Sequence, residues 1–231
     1  MKIVRSAGPF RERPYFTDDE IEQTAARELF DAGLMPTSPG AIRVERFVEK
    51  RFNVGGVRFE VLPDGVLGLT RFSKAGVDAI IVSRVLSDER TAVAERRINS
   101  TIAHEAGHAL LHAHLFFLDA FPRSLFEGGR DVSPTKVLCR DIAHRSAAAS
   151  EYRARWWEYQ ANKMMGALLL PRALTMACVQ RLTVERGRFG RGALPRQSRR
   201  GAALLVADTF DVNPRLAELR LEALYPQSNT R

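Results

Sequence analysis

The stretch TIAHEAGHALLH places His104 and His108 four positions apart, with Glu105 beside the first of them. On a helix, both imidazoles project from one face within reach of a single ion, and Glu105 stands next to any water that the ion holds. Zinc gives this arrangement a purpose. Three protein ligands leave a fourth position for water, whose pKa falls toward about 7, and a carboxylate completes its deprotonation. HExxH has only three fixed residues, so a third ligand is needed before the pattern becomes specific. Glu158 and Asn162, in WWEYQANKMMGALLLP, sit at i and i+4 of another helical stretch. Glu158 would complete a His2Glu ligand set, and Asn162 would orient a ligand imidazole through its other ring nitrogen. Without HExxH, the same pair would read as an exposed polar stripe.

Other residues offer chemistry with less definition. His112 lies one turn beyond His108 and is displaced along the helix axis, so it reads as a satisfied structural histidine and not as a ligand. His144, Tyr152 and Tyr159 are each able to stabilise the oxyanion of a tetrahedral intermediate, and the sequence does not choose among them. Cys139 has two readings. Its thiolate, favoured by the neighbouring Arg140, could take the open position on zinc and hold the site inactive, or it could be a small buried hydrophobe following Val137 and Leu138. Cys178, between Ala177 and Val179, reads as core.

These side chains must be positioned by helices and a small sheet. Residues 18–33 set Ile21, Ala25, Leu29 and Ala32 on one helical face, with acids leading and Gly33 closing, and a second helix runs roughly from 41 to 52. Three strand-like runs follow at 57–61, 66–72 and 79–82, the first two separated by the turn Pro63-Asp64-Gly65. Ser87 is placed to cap a long helix carrying HExxH. Breakers at Pro122, Gly128-Gly129 and Pro134 mark residues 119–150 as an ordered insertion or lid. Helices are expected at 151–170 and 172–182, and a helical hairpin from 199 to 224 turns at Asp211 to Pro214. Its seam is expected to be Leu204, Leu205, Leu216, Leu219 and Ala223.

HEAGHALLH followed by E-x-x-A-N and an apolar run ending in Pro171 resembles the ImmA/IrrE family of metallopeptidases, and the order of elements over most of the chain is similar to that family's layout. The resemblance implies an α+β fold. A zincin-like, more closely gluzincin-like, domain would occupy residues 1–182, including the insertion at 119–150, and a basic segment with the helical hairpin would occupy 183–231. By position, His104, His108 and Glu158 match the zinc ligands and Glu105 the catalytic base. The resemblance implies an endopeptidase whose substrate is a helix-turn-helix repressor, cleaved in a response to DNA damage or phage infection. Fifty positions separate His108 from Glu158, more than in the family's simplest members. The insertion resembles the cysteine-bearing segment of members found in anti-phage defence operons, in which a cysteine switch at zinc, here Cys139, is implied.

The whole-chain numbers bound these readings. With 231 residues, 45% of them hydrophobic and 27% charged, the chain has the composition of an ordinary globular protein with room for a proper core. Two cysteines make no disulfide framework, and the N-terminal sequence lacks a secretory apolar stretch, which points to the cytoplasm. The longest helix-compatible apolar run, Met164 to Leu170, is far short of the ~20 residues of a spanning helix. Thirty-five basic against 27 acidic side chains leave +8, and seven Arg with one Glu between 181 and 200 account for most of it. That cluster, with Arg191, Arg196, Arg199 and Arg200 and with aromatics available for stacking, fits single-stranded DNA as an activating ligand in the damage response that the family resemblance implies. The rival reading is a non-catalytic nucleic-acid-binding transcriptional regulator whose C-terminal hairpin has helix-turn-helix proportions.

Overall fold

A computed structural model describes residues 2–5, 12–73, 76–117, 136–140, 156–185 and 192–226, and the fold is α+β. Strands β1 (Lys2–Arg5) and β2 (Glu12–Tyr15) form an antiparallel pair that sequence reading did not anticipate. Helix α1 (Asp18–Asp31) follows directly, because Thr17 and Glu20 close a capping box and Asp18, Asp19 and Glu20 oppose the positive end of the helix dipole. Its face of Ile21, Ala25 and Leu29 is buried as the periodicity predicts. Helix α2 (Val44–Phe52) buries Val44, Phe47 and Val48 and ends at Asn53, whose φ of 52° is a left-handed stop.

The three expected strands form a small mixed sheet. Strand β3 (Arg58–Glu60) runs parallel to β5 (Gly76–Ser83), which pairs antiparallel with β4 (Val66–Ser73). A further strand, β6 (Lys136–Arg140), comes from within the 119–150 insertion and pairs antiparallel along the other edge of β4. The sheet order is therefore β3-β5-β4-β6. Strand β4 is central and hides Val66, Leu69, Thr70 and Phe72.

The long helix starts later than Ser87. A short helix α3 (Arg84–Asp88) comes first, with the Ser87 hydroxyl turned back onto the Arg84 carbonyl, and the chain breaks at Arg90, whose φ is +47°. Thr91 then caps α4 (Ala92–Phe117), its Oγ1 accepting from the Ala94 amide at 3.1 Å. The sheet packs on one side of α4 and helix α5 (Trp156–Leu169) on the other. Trp156 meets His112, Ala161 meets Gly107 and Asn162 meets His104, so α5 runs antiparallel to α4.

Helix α6 (Arg172–Val179) begins after Pro171, continues as a 3-10 turn to Leu182, and leads to the hairpin of α7 (Arg199–Phe210) and α8 (Pro214–Leu224). The hairpin's seam differs from the leucine-based expectation. Ala202, Ala203, Val206, Ala207, Phe210, Leu216, Ala217 and Leu221 are buried, whereas Leu204, Leu205 and Leu219 are 48%, 43% and 47% exposed. Alanines let the helices approach closely, so α7 turns its small-residue face inward and its leucines out. One hydrophobic core runs from Ile21 of α1 through α2, the sheet, α4 and α5 to Tyr225. The buried Arg220 ties its two ends together, donating from Nε to the Leu170 carbonyl at 2.9 Å and pairing with Glu22 of α1. Among the described residues, no helix is long and apolar enough to cross a membrane.

Candidate metal centre

Helix α4 delivers His104, Glu105 and His108 to a buried position between the sheet and α5, and all three are at most 3% exposed. Two glycines make this burial possible. A Cβ on Gly68 of β4 would lie 2.5 Å from Thr101 Cγ2 and 3.3 Å from Glu105 Cγ, so the strand presses directly on the helix at the site. A Cβ on Gly107 would fall 2.9 Å from the Ala161 carbonyl oxygen and 3.1 Å from its Cα, so α4 and α5 touch backbone to backbone there. That contact brings Glu158, in the first turn of α5, over the two histidines.

The structure brings together His104, His108, Glu158 and Asn162, the four residues that spacing singled out. His104 Nε2 lies 3.1 Å from His108 Nε2 and 3.2 Å from Glu158 Oε2, and His108 Nε2 lies 3.6 Å from Glu158 Oε1. Ligand atoms ~2.0 Å from one tetrahedral zinc ion are about 3.3 Å apart, which is the separation found here. The Asn162 Oδ1 atom accepts from His104 Nδ1–H at 3.0 Å, so a neutral His104 turns the lone pair of Nε2 toward a carboxylate oxygen, as metal binding requires. Two acceptors facing each other in a buried space repel unless a proton or a metal cation lies between them. The His-His-Glu group therefore fits a metal ion, and its one-carboxylate, two-imidazole composition suits a divalent transition metal.

Burial pushes the Glu158 carboxyl toward protonation, but the adjacent His108 and His104 outweigh it and hold the group far below the usual carboxylate range. Glu105 behaves differently. Burial dominates and raises it, and the attraction of His108 and His104 and a hydrogen bond from Thr70 only partly offset that. Thr70 Oγ1 donates to Glu105 Oε2 at 2.6 Å, while Glu105 Oε1 is buried with no hydrogen-bond partner among the described residues. A buried oxygen left unpaired beside a metal-ligand cluster is what a base awaiting a water proton requires.

Compared with protein-family models, curated proteins and solved structures, the chain matches none. The site is thus read from its own geometry. Thr70 and Gln160 are contributors that spacing did not reveal, because only the packing of β4 and α5 onto α4 brings them to Glu105 and His112. Cys139 lies on β6 with its backbone opposite Gly68, and its side chain falls outside the described part of the structure. Arg191, His144 and Tyr152 lie outside the described residues. The Tyr159 ring sits 5.4 Å from the Lys163 ammonium. Arg196 and Arg200 are exposed, whereas Arg199 is half-buried and donates to the Tyr225 carbonyl. Cys178 packs against the core, its thiol 3.6 Å from Thr209 Oγ1.

Proposed function

We propose that the protein is a zinc-dependent endopeptidase of zincin-like fold, related to the ImmA/IrrE peptidases. The convergence of His104, His108 and Glu158 beside the unpaired Oε1 of Glu105 carries this reading. His104, His108 and Glu158 would hold the ion. When bound, zinc polarises a peptide carbonyl and makes water acidic enough to attack near neutral pH. Glu105 accepts the proton of the attacking water at Oε1, and its buried, raised carboxyl then passes that proton to the leaving amine. Thr70 holds Oε2 and thereby aims Oε1.

The substrate class proposed is a protein, specifically a helix-turn-helix repressor, on the strength of the sequence resemblance. Mass spectrometry of such a repressor incubated with the zinc-loaded full chain checks it. Discrete cleavage by the unaltered protein, absent with Glu105→Gln although zinc is retained, is the expected result. Equal cleavage by both proteins contradicts the mechanism.

A nucleic-acid-binding role is proposed beside the catalytic one because Arg196, just before α7, and Arg200, in its first turn, are exposed. Affinity for single-stranded DNA should fall steeply with salt and weaken in an Arg196→Ala/Arg200→Ala protein. Salt-insensitive binding, or none at low salt, contradicts it. Cys139 is retained as a proposed inhibitory ligand, since β6 pairs at the point where β4 presses on Glu105. Cys139→Ser should then cleave substrate without nucleic acid, and unchanged basal cleavage removes the switch.

A further inference from the structure

His112 and Gln160 are buried polar residues with no part in the ligand set, at 1% and 2% exposure. His112 lies one turn beyond His108, and its two ring nitrogens face in opposite directions. Nδ1 is 3.1 Å from His108 Nδ1, and Nε2 is 2.9 Å from Gln160 Oε1. The Trp156 ring packs edge-on against the imidazole at 5.5 Å and fixes its plane.

Proton placement follows along this row. The Gln160 carbonyl oxygen only accepts, so His112 carries its hydrogen on Nε2 and keeps a lone pair on Nδ1. That lone pair requires a hydrogen on His108 Nδ1, which leaves His108 Nε2 with its lone pair directed at His104 and Glu158. The opposite amide orientation reverses every step. An NH2 group at Gln160 would place the hydrogen of His112 on Nδ1, the lone pair of His108 on Nδ1, and a hydrogen on His108 Nε2 where a metal must bind.

Resting on the metal reading above, we infer that Gln160 and His112 are positioning residues that set the metal-binding tautomer of His108, as Asn162 does for His104. Each ligand histidine thus has its own amide from α5, one directly and one through a second imidazole. The role lies in metal affinity and not in contact with substrate. Acceptors that orient a zinc-bound histidine contribute roughly 10- to 100-fold in affinity or activity.

Zinc affinity measured by chelator competition on the full chain, with melting of the metal-free proteins alongside, tests the relay. Gln160→Met removes the acceptor at similar volume and should bind zinc roughly 10- to 100-fold more weakly while its metal-free melting temperature is little changed. Gln160→Glu keeps an acceptor and should restore affinity to within a few-fold of the unaltered protein. Equal affinity in the unaltered and Gln160→Met proteins overturns the relay alone, and zinc uptake by neither overturns the metal reading with it. Should Gln160→Met not fold, long-range proton–nitrogen spectra of the unaltered metal-free protein decide. Hydrogens on His112 Nε2 and His108 Nδ1 support the relay, and a hydrogen on His112 Nδ1 overturns it.

Discussion

At the residue scale, the account divides labour among a few buried side chains. On the function proposed above, three would hold a metal and one would move a proton, and Thr70 and Asn162 hydrogen-bond two of those four. Glu105→Gln preserves volume and hydrogen bonding but cannot accept a proton. It should therefore retain stoichiometric zinc while peptide cleavage falls by about 100-fold or more, as zinc analysis and a cleavage assay would show. Thr70→Val leaves Glu105 Oε2 without its donor, and cleavage should drop about tenfold with zinc content unchanged, whereas Thr70→Ser should stay close to the unaltered rate. Much of this scale was legible beforehand, because His104, His108, Glu158 and Asn162 each obey the four-residue spacing of a helix face. Thr70 and Gln160 were not, since nothing along the chain relates them to Glu105 or His112. Only the fold makes them neighbours.

Elements position these residues by close backbone approach. Gly107 faces Ala161 at a distance no side chain tolerates, and that contact sets how far Glu158 stands from the histidines. Gly107→Val should cost about 1–3 kcal/mol of stability and weaken zinc binding at the same time, measured by denaturant melts and metal titration. Loss of stability with unchanged zinc affinity would separate the helix contact from the site. Helix identities were readable from periodicity, and α1 and α2 lie close to the expected 18–33 and 41–52. The start of α4 was not readable, because residues 84–88 are themselves helical and the break depends on Arg90 adopting a left-handed conformation that its residue type does not announce. The hairpin seam departs from the leucine pattern for a related reason. Leucines outweigh alanines in any hydrophobic pattern, yet close packing of α7 favoured Ala202, Ala203 and Ala207. Strand β6 carried no signal that distinguished it from the breakers around it.

At the scale of the whole molecule, the C-terminal hairpin is part of the same core as the site and is held there by Arg220. Arg220→Ala would leave Glu22 without its bidentate partner and the Leu170 carbonyl without its donor, and should cost about 3 kcal/mol in a thermal or denaturant melt. The proposed metal would act on the same equilibrium. Because its ligands would come from α4 and α5, zinc bound to the folded chain and not to the unfolded one should, at 1,000 times its dissociation constant, add about 4 kcal/mol. A chelator should then lower the melting temperature by roughly 8–16 °C for a chain of this size. The +8 charge belongs to this scale as well, and of its C-terminal cluster Arg196, in the 3-10 turn before α7, and Arg200, on α7, are exposed. The most direct test of the metal reading is anomalous diffraction at the zinc edge from crystals of the zinc-loaded full chain. The account predicts a single strong peak about 2.0–2.2 Å from His104 Nε2, His108 Nε2 and a Glu158 oxygen. No peak there, or one bound without both histidines, would contradict it.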